Sequence, residues 1–67
     1  MNPIRTIEFI HDSALWFADE WQRRALPGEP PGTVWQFRTH DTVPYDQYQG
    51  AREHFFAAVL PAEDSAA

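Results

Sequence analysis

The sequence predicts a mainly α fold in which two amphipathic helices pack antiparallel and one short strand lies in the segment that joins them. Three observations lead to this prediction. Apolar residues from Asn2 to Leu26 recur at alternating spacings of three and four, a second apolar face runs from Pro44 to Leu60, and a proline-rich linker separates the two. Because two helices of unequal length leave apolar surface uncovered, we expect a dimer.

The first predicted helix begins after Asn2 and ends at Leu26. Asn2 can cap its first turn with Pro3 at the first helical position, and Pro27 and Gly28 end it. Its apolar seam consists of Ile7, Ile10, Ala14, Phe17 and Trp21. The part of this seam that the second helix cannot cover is the surface through which we expect the dimer to form.

The linker after the first helix holds three prolines and two glycines between positions 27 and 32, a composition that excludes a helix. Residues 33–39 then alternate, with Trp35 and Phe37 on one face and Gln36 and Arg38 on the other. This alternation is typical of a half-buried strand. The alternative is an extended linker whose two aromatic rings fold onto the helices.

The second predicted helix runs from Pro44 to Leu60 and ends at Pro61, which cannot continue it. Gly50 in its middle costs about 1 kcal/mol relative to alanine, which suggests either close contact with another backbone or a simple lack of optimisation. We expect residues 1–61 to form one small helical domain and residues 62–67 a disordered acidic tail. The apolar face of the helix consists of Tyr48, Ala51, Phe55, Ala58 and Val59.

Composition narrows the classes of partner. The chain of 67 residues has ten acidic residues against five arginines, no lysine, no cysteine and a net charge of −5. This negative balance opposes binding to a nucleic-acid backbone, and the absence of cysteine removes disulfides and thiolate zinc sites. The first residues show neither the basic region nor the small-residue cleavage site that is typical of a signal peptide, and no apolar run approaches about 20 residues. We therefore expect a soluble, cytoplasmic protein without membrane contact, from a GC-rich bacterial or phage genome.

Patterns that would carry chemistry are weak. Glu8 and His11 have the spacing at which a helix presents a carboxylate and an imidazole to a bridged metal centre, and a symmetric dimer would supply the second pair. His11, Asp12 and Ser13 have the residue types of a hydrolytic triad, but consecutive helical residues diverge. We predict no catalysis and no cofactor, and keep a dimeric carboxylate and histidine metal site as an alternative.

The functional prediction is a small acidic protein-interaction module that works by docking, as a regulator, an inhibitor or an accessory subunit of a larger complex. On a helix, Phe9 and Trp16 lie together on the side away from the seam, in the charged surround that is typical of interface anchors. The predicted partner-binding residues are Phe9, Trp16, Asp12, Glu20, Trp35 and Phe37.

Two alternatives to this docking surface stay open. In one, the face that carries Trp35 and Phe37 folds over Phe9 and Trp16, and the chain is a three-layer monomer. In the other, the protein is an acidic mimic of nucleic acid that blocks a basic site on its partner. The carboxylates of that mimic would be Glu8, Asp12, Asp19 and Glu20.

Overall fold

The computed structural model describes residues 2–40 and 42–65 and shows a three-stranded antiparallel sheet with one helical segment packed on it. The strands lie in the order β1-β2-β3, so that β2 is the central strand. The elements are β1 (Arg5–His11), β2 (Ala14–Arg23), β3 (Gly32–Thr39), α1 (Tyr45–His54), a π-helical turn (Phe55–Val59) and α2 (Leu60–Ser65).

The predicted two-helix fold is wrong, because the predicted first helix is a hairpin of β1 and β2. On the strands, Ile7 and Phe9 point to the helix from β1, and their cross-strand partners Ala18 and Trp16 do so from β2. The helical hairpin and its apolar seam therefore do not exist. Residues of that seam lie on opposite faces of the sheet, with Ile7 on one side and Phe17 on the other.

The hairpin closes at Asp12 and Ser13, whose φ angles are 53° and 67°. Two consecutive residues with positive φ form the type I′ turn, whose twist matches that of the strands it joins. Asparagine or aspartate followed by glycine is usual in this turn; Asp12 fits the first position, but Ser13 stands where glycine is usual. The hairpin consequently has no strong local signal in the sequence.

The strand predicted at residues 33–39 is confirmed as β3, which begins one residue earlier at Gly32. It pairs with β2, where Phe37 lies opposite Ala18 and Trp35 lies opposite Glu20. A single strand needs a hydrogen-bonding partner, which the predicted helical fold lacks. In the structure that partner is β2, whose residues fall within the predicted first helix.

A helix follows Pro44 as predicted, but it continues past Pro61. Because Pro61 has no N–H to donate to the carbonyl one turn before it, the hydrogen bonding shifts, and the Leu60 N–H donates to the Phe55 carbonyl in a π-helical turn. Residues 62–65, expected to be disordered, belong to α2, and Ala66 and Ala67 lie outside the described residues. None of the helices in the described ranges is both long enough and apolar enough to cross a membrane.

The core lies between the helix and one face of the sheet. Phe55 lies at its centre, with ring centroids 5.4 Å from Phe9, 4.8 Å from Trp35 and 5.2 Å from Phe37. Ala18 and Ala51 are fully buried and allow the helix to approach the sheet closely. The buried apolar residues are Ile7, Phe9, Trp16, Ala18, Phe37, Ala51 and Phe55.

The helix runs antiparallel to β1. Gly50 lies beside His11 at one end, and Asp64 accepts hydrogen bonds of 3.3 Å from Arg5 at the other. Fourteen helical steps span about 21 Å and six strand steps about 20 Å, so the two contacts fit a helical segment that lies along the strand. A Cβ on Gly50 would lie 3.1 Å from His11 Nε2, so the close neighbour of Gly50 is a side chain of the sheet and not the backbone that was expected.

Candidate docking surface

Three of the residues predicted to contact a partner belong to the core. Phe9, Trp16 and Phe37 are only 6%, 2% and 9% exposed. Phe9 pairs directly with Trp16 across the hairpin, with their rings stacked at 6.5 Å, and meets Phe37 edge-on at 6.4 Å. The exposure that helical spacing implied for Phe9 and Trp16 is corrected, because strand alternation turns both rings toward the helix. The alternative in which Trp35 and Phe37 fold over Phe9 and Trp16 agrees better with this burial. The layers of the structure are, however, one sheet and one helix.

Of the other three predicted partner-binding residues, Trp35 and Glu20 are cross-strand neighbours and Asp12 lies apart from them. Trp35 is half-buried, with its ring 5.4 Å from the Arg5 guanidinium carbon. Glu20 is on the same face and accepts hydrogen bonds of 2.8 Å from both Arg5 and Thr33. Asp12 is exposed in the turn at the opposite end of the hairpin. The six residues therefore do not form one continuous surface.

The alternative metal site has no support in the geometry. Glu8 and His11 are three positions apart on β1, so their side chains leave the sheet on opposite faces. His11 faces the helix, where its ring lies 5.4 Å from that of His54. Within residues 2–40 and 42–65, no group of three histidine, aspartate or glutamate side chains could hold a metal ion.

The acidic residues of the proposed nucleic-acid mimic are also dispersed. Glu8 and Asp19 lie on the face away from the helix, Glu20 lies on the face toward it, and Asp12 lies in the turn. Asp19 and Glu20 are each ion-paired to an arginine. Such a set does not form a line of unpaired negative charge, so the structure offers this alternative little support.

The face of the sheet opposite the helix carries no other described helix or strand, and we call it the open face. It is partly covered, because the His40 ring meets the Phe17 ring edge-on at 5.5 Å and the Trp21 Nε1 atom is buried without a hydrogen-bond partner among the described residues. Large apolar side chains of all three strands project from this face. They do not belong to the buried core. Ile10, Leu15 and Val34 are 62%, 40% and 42% exposed, and Phe17 and Trp21 are half-buried. Clusters of exposed apolar side chains on a small protein mark interaction sites. The apolar residues of the open face are Ile10, Leu15, Phe17, Trp21 and Val34.

Polar side chains cross the middle of the open face and separate its two apolar ends. In the strand register, Glu8, Phe17 and Arg38 form one row across the sheet. The next row consists of Thr6, Asp19 and Gln36. Ile10 pairs with Leu15 at one apolar end, and Trp21 pairs with Val34 at the other.

Asp19 organises this polar band, although it is only 7% exposed. Arg38 Nε donates to its Oδ2 at 2.8 Å, and the Thr6 hydroxyl donates to its Oδ1 at 2.6 Å. The hydrogen bond from Arg38 lowers the pKa of Asp19 below its ordinary value of 3.8, against the opposing effect of burial, and the bond from Thr6 lowers it further. The Arg38 guanidinium carbon lies 4.6 Å from the Phe17 ring centroid, so the same arginine orders both rows.

We predict that Asp19 makes folding stability depend on acid pH. A carboxyl whose pKa is lowered by folding contributes stability above its unfolded pKa, and that contribution is lost as the pH falls through the folded pKa. Wild type should therefore lose stability below about pH 4 more steeply than the Asp19→Asn variant, and the measurement is the urea midpoint from about pH 7 to about pH 2. The control is Glu63→Gln at an exposed position of α2, which should keep the wild-type slope. Parallel profiles for wild type and Asp19→Asn would contradict the prediction.

The helix carries a shallow depression of about 230 Å³ that is a poor small-molecule site. Pockets for small molecules usually measure about 300–1,000 Å³ and lie between elements. All lining residues of this depression come from α1 itself, namely Tyr45, Tyr48, Gln49, Arg52 and Glu53. The open face is accordingly the better candidate for function.

Similarity to known proteins gives no further guide. No protein-family model matches this chain, and no curated protein or solved structure matches it. Function is therefore inferred from the surfaces that the fold creates.

Proposed function

We propose that this chain is a small protein-interaction module that docks through the open face and performs no chemistry of its own. The observation that supports the proposal is the set of five apolar side chains on a sheet face that carries no other described helix or strand. The core already accounts for the opposite face, so these side chains are not needed to hold the helix. Burying them against a partner would contribute roughly 25 cal/mol for each Å² of apolar surface removed from water.

The open face defines the chemistry of its partner. Two sheets can pack face to face at about 10 Å with their side chains interdigitating, and a flat three-stranded face suits this arrangement. The partner should present apolar side chains to the two ends of the face. At the centre it should present a carboxylate to Arg38 and a cation to Glu8, which has no ion-pair partner within residues 2–40 and 42–65.

Docking of this kind acts by covering or bridging surfaces of the partner, as a regulator, an inhibitor or an accessory subunit does. Trp21 is the side chain whose loss should weaken binding most, because large aromatic residues dominate the energy of interfaces. Affinity that depends on apolar burial should change little with salt, whereas an acidic mimic should lose its partner as salt is added.

Lysine at Leu15 tests the proposal, with lysine at Leu26 as the matched control. Both leucines are exposed, but Leu15 lies on the open face and Leu26 in the loop between β2 and β3. We expect the immobilised wild-type chain and Leu26→Lys to retain the same protein from a host extract, and Leu15→Lys to retain at least about tenfold less of it, in about 0.1 M and about 1 M NaCl.

The retained protein is then identified by mass spectrometry and its affinity for the three chains is measured by calorimetry. Equal affinity for Leu15→Lys and Leu26→Lys would refute docking through the open face. Binding that disappears at high salt for all three chains would favour the acidic mimic instead.

A further inference from the structure

We infer that the partner seated on the open face is a second copy of this chain, related to the first by a two-fold axis parallel to β2. This inference rests on the proposed function, because it names the occupant of the same face. Three features support it: the apolar pattern of β2, the small core, and the distribution of charge across the face.

The central strand is apolar on both faces. Trp16 and Ala18 point to the helix, whereas Leu15, Phe17 and Trp21 point to the open face. Strands with this pattern are typical of sheets that are covered on both sides. The helix packs on one face of the sheet. The open face would be covered by a different protein or by a second copy of this chain.

The size of the protein favours a second copy. A domain of about 60 residues buries only about 60% of the surface that its unfolded chain exposes, and oligomerisation is one of the ways in which such domains gain stability. The chain of 67 residues has no cysteine, so a disulfide cannot serve that purpose. Packing two open faces together would give both copies a second apolar layer.

The charges of the open face are complementary to themselves. A two-fold axis parallel to β2 exchanges the positions of β1 and β3 but keeps each row at its level along the strands. In the row of Glu8, Phe17 and Arg38, this operation places Glu8 of one copy over Arg38 of the second copy, and Phe17 over Phe17. Arg38 uses Nε and Nη2 to bond Asp19, so its remaining nitrogen, Nη1, can donate to that glutamate.

The remaining rows fit the same operation. Thr6 lies over Gln36, and Asp19 lies on the axis with its charge already neutralised by Arg38. Leu15 and Trp21 each meet their own copy in the second chain. At the far end Val34 lies over the segment that precedes β1, where the Ile4 N–H donates to the Glu20 carbonyl at 2.7 Å. On the axis, apolar side chains therefore meet apolar side chains at both ends of the face, whereas off the axis Ile10 lies over the position of His40, which follows β3.

An axis perpendicular to the strands fits poorly. Centred on the row of Phe17, it would bring Glu8 over Glu8 and Arg38 over Arg38. Centred between the two polar rows, it would bring Phe17 over Asp19 and leave Glu8 opposite Thr6. Like charges that face each other oppose association, so the strand-parallel axis is the one that the charges favour.

The available area predicts a weak dimer. Three strands about 4.8 Å apart and seven residues long at about 3.3 Å per residue give a flat footprint of roughly 14 by 23 Å per copy. Standard interfaces bury about 800 Å² of accessible surface on each partner, which is more than such a footprint supplies. We therefore expect a dissociation constant of about 10–100 µM, so that dimerisation depends on concentration.

A charge exchange across the interface tests the inference. One chain carries Glu8→Arg, and the other carries Arg38→Glu together with Asp19→Asn, which removes the carboxylate that Arg38 neutralises. In either variant alone, like charges would face each other twice across the axis, whereas in the mixed pair both contacts join opposite charges. Sedimentation velocity from about 5 to about 500 µM should show wild-type dimers, nearly monomeric single variants, and a mixture that associates at least about tenfold more tightly than either alone.

Two measurements protect the test against misfolding. Glu63→Arg, at an exposed position of α2 away from the open face, should dimerise as wild type does. For wild type, isotope-filtered nuclear Overhauser effects between labelled and unlabelled chains should join Leu15 of one copy to Leu15 of the other. These cross-peaks need no substitution and do not depend on the folding of a variant.

The outcomes separate this inference from the function on which it rests. A wild-type chain that stays monomeric to about 500 µM refutes the inference. The proposed function survives this result if the wild-type chain retains another protein from the host extract and Leu15→Lys does not. A dimer without rescue in the mixture and without the cross-peaks refutes the strand-parallel axis. A dimer that Leu15→Lys leaves unchanged refutes this use of the open face, and retention of other proteins by Leu15→Lys would then refute the proposed function as well.

Discussion

Replacement of Trp16 by alanine should unfold much of this protein at room temperature. The Trp16 ring is 2% exposed and lies between Phe9, at 6.5 Å, and Tyr48, at 6.1 Å. Removing a buried tryptophan of this kind costs about 3–5 kcal/mol, which approaches the whole stability of about 5 kcal/mol expected for a small domain. Urea and thermal unfolding followed by circular dichroism measure the effect.

Trp21→Ala is the matched control for Trp16, because Trp21 is a half-buried tryptophan of the same strand that points to the open face. We expect it to keep most of the folding stability and to lose association of the open face. The opposite result, with Trp16→Ala folded but unable to associate, would return Trp16 to the role of a surface anchor and contradict the core described above.

Phe55→Ala and Phe56→Ala should differ strongly, although the two residues are neighbours. Phe55 is fully buried among Phe9, Trp35 and Phe37, whereas Phe56 is 39% exposed and lies 5.9 Å from the Phe37 ring. We expect a loss of about 3–5 kcal/mol for Phe55→Ala and about 1 kcal/mol or less for Phe56→Ala. The free energies of unfolding come from urea titrations of the two variants and wild type.

This pair also tests the orientation of the helix on the sheet. Successive residues of a helix point about 100° apart, so only one of two neighbours can face the core directly. Equal losses at the two positions would mean that the π-helical turn is rotated from the orientation described here. A larger loss at Phe56 would place that residue at the centre of the core.

Local signals in the sequence determine the second half of the chain well. The alternation of Trp35 and Phe37 with Gln36 and Arg38 identifies β3, because a strand with one buried face needs a period of two. Pro44 excludes a helix before it and allows one to begin after it, where the structure has Tyr45. These features depend on neighbours in the sequence, so they can be read without knowledge of the fold.

The same local signals mislead in residues 5–23. Both faces of β2 carry apolar side chains, so the period of two is hidden and the helical spacing of Ile7, Ile10, Ala14, Phe17 and Trp21 also fits. A two-residue turn without asparagine or glycine leaves no break between the strands. Helical periodicity therefore predicts the wrong surface residues, because it places Phe9 and Trp16 on an exposed side of a helix, whereas both are buried.

By itself the sequence determined a small acidic chain with one strand at residues 33–39, one helix after Pro44 and a proline-rich break before the strand. Only the tertiary structure decided which apolar residues are core and which are surface. The physical reason is that one helix covers one face of a sheet, so burial depends on strand pairing and on the side where the helix packs. Phe9 and Trp16 lie on the face that the helix covers, and the open face carries Leu15, Phe17, Trp21 and Val34.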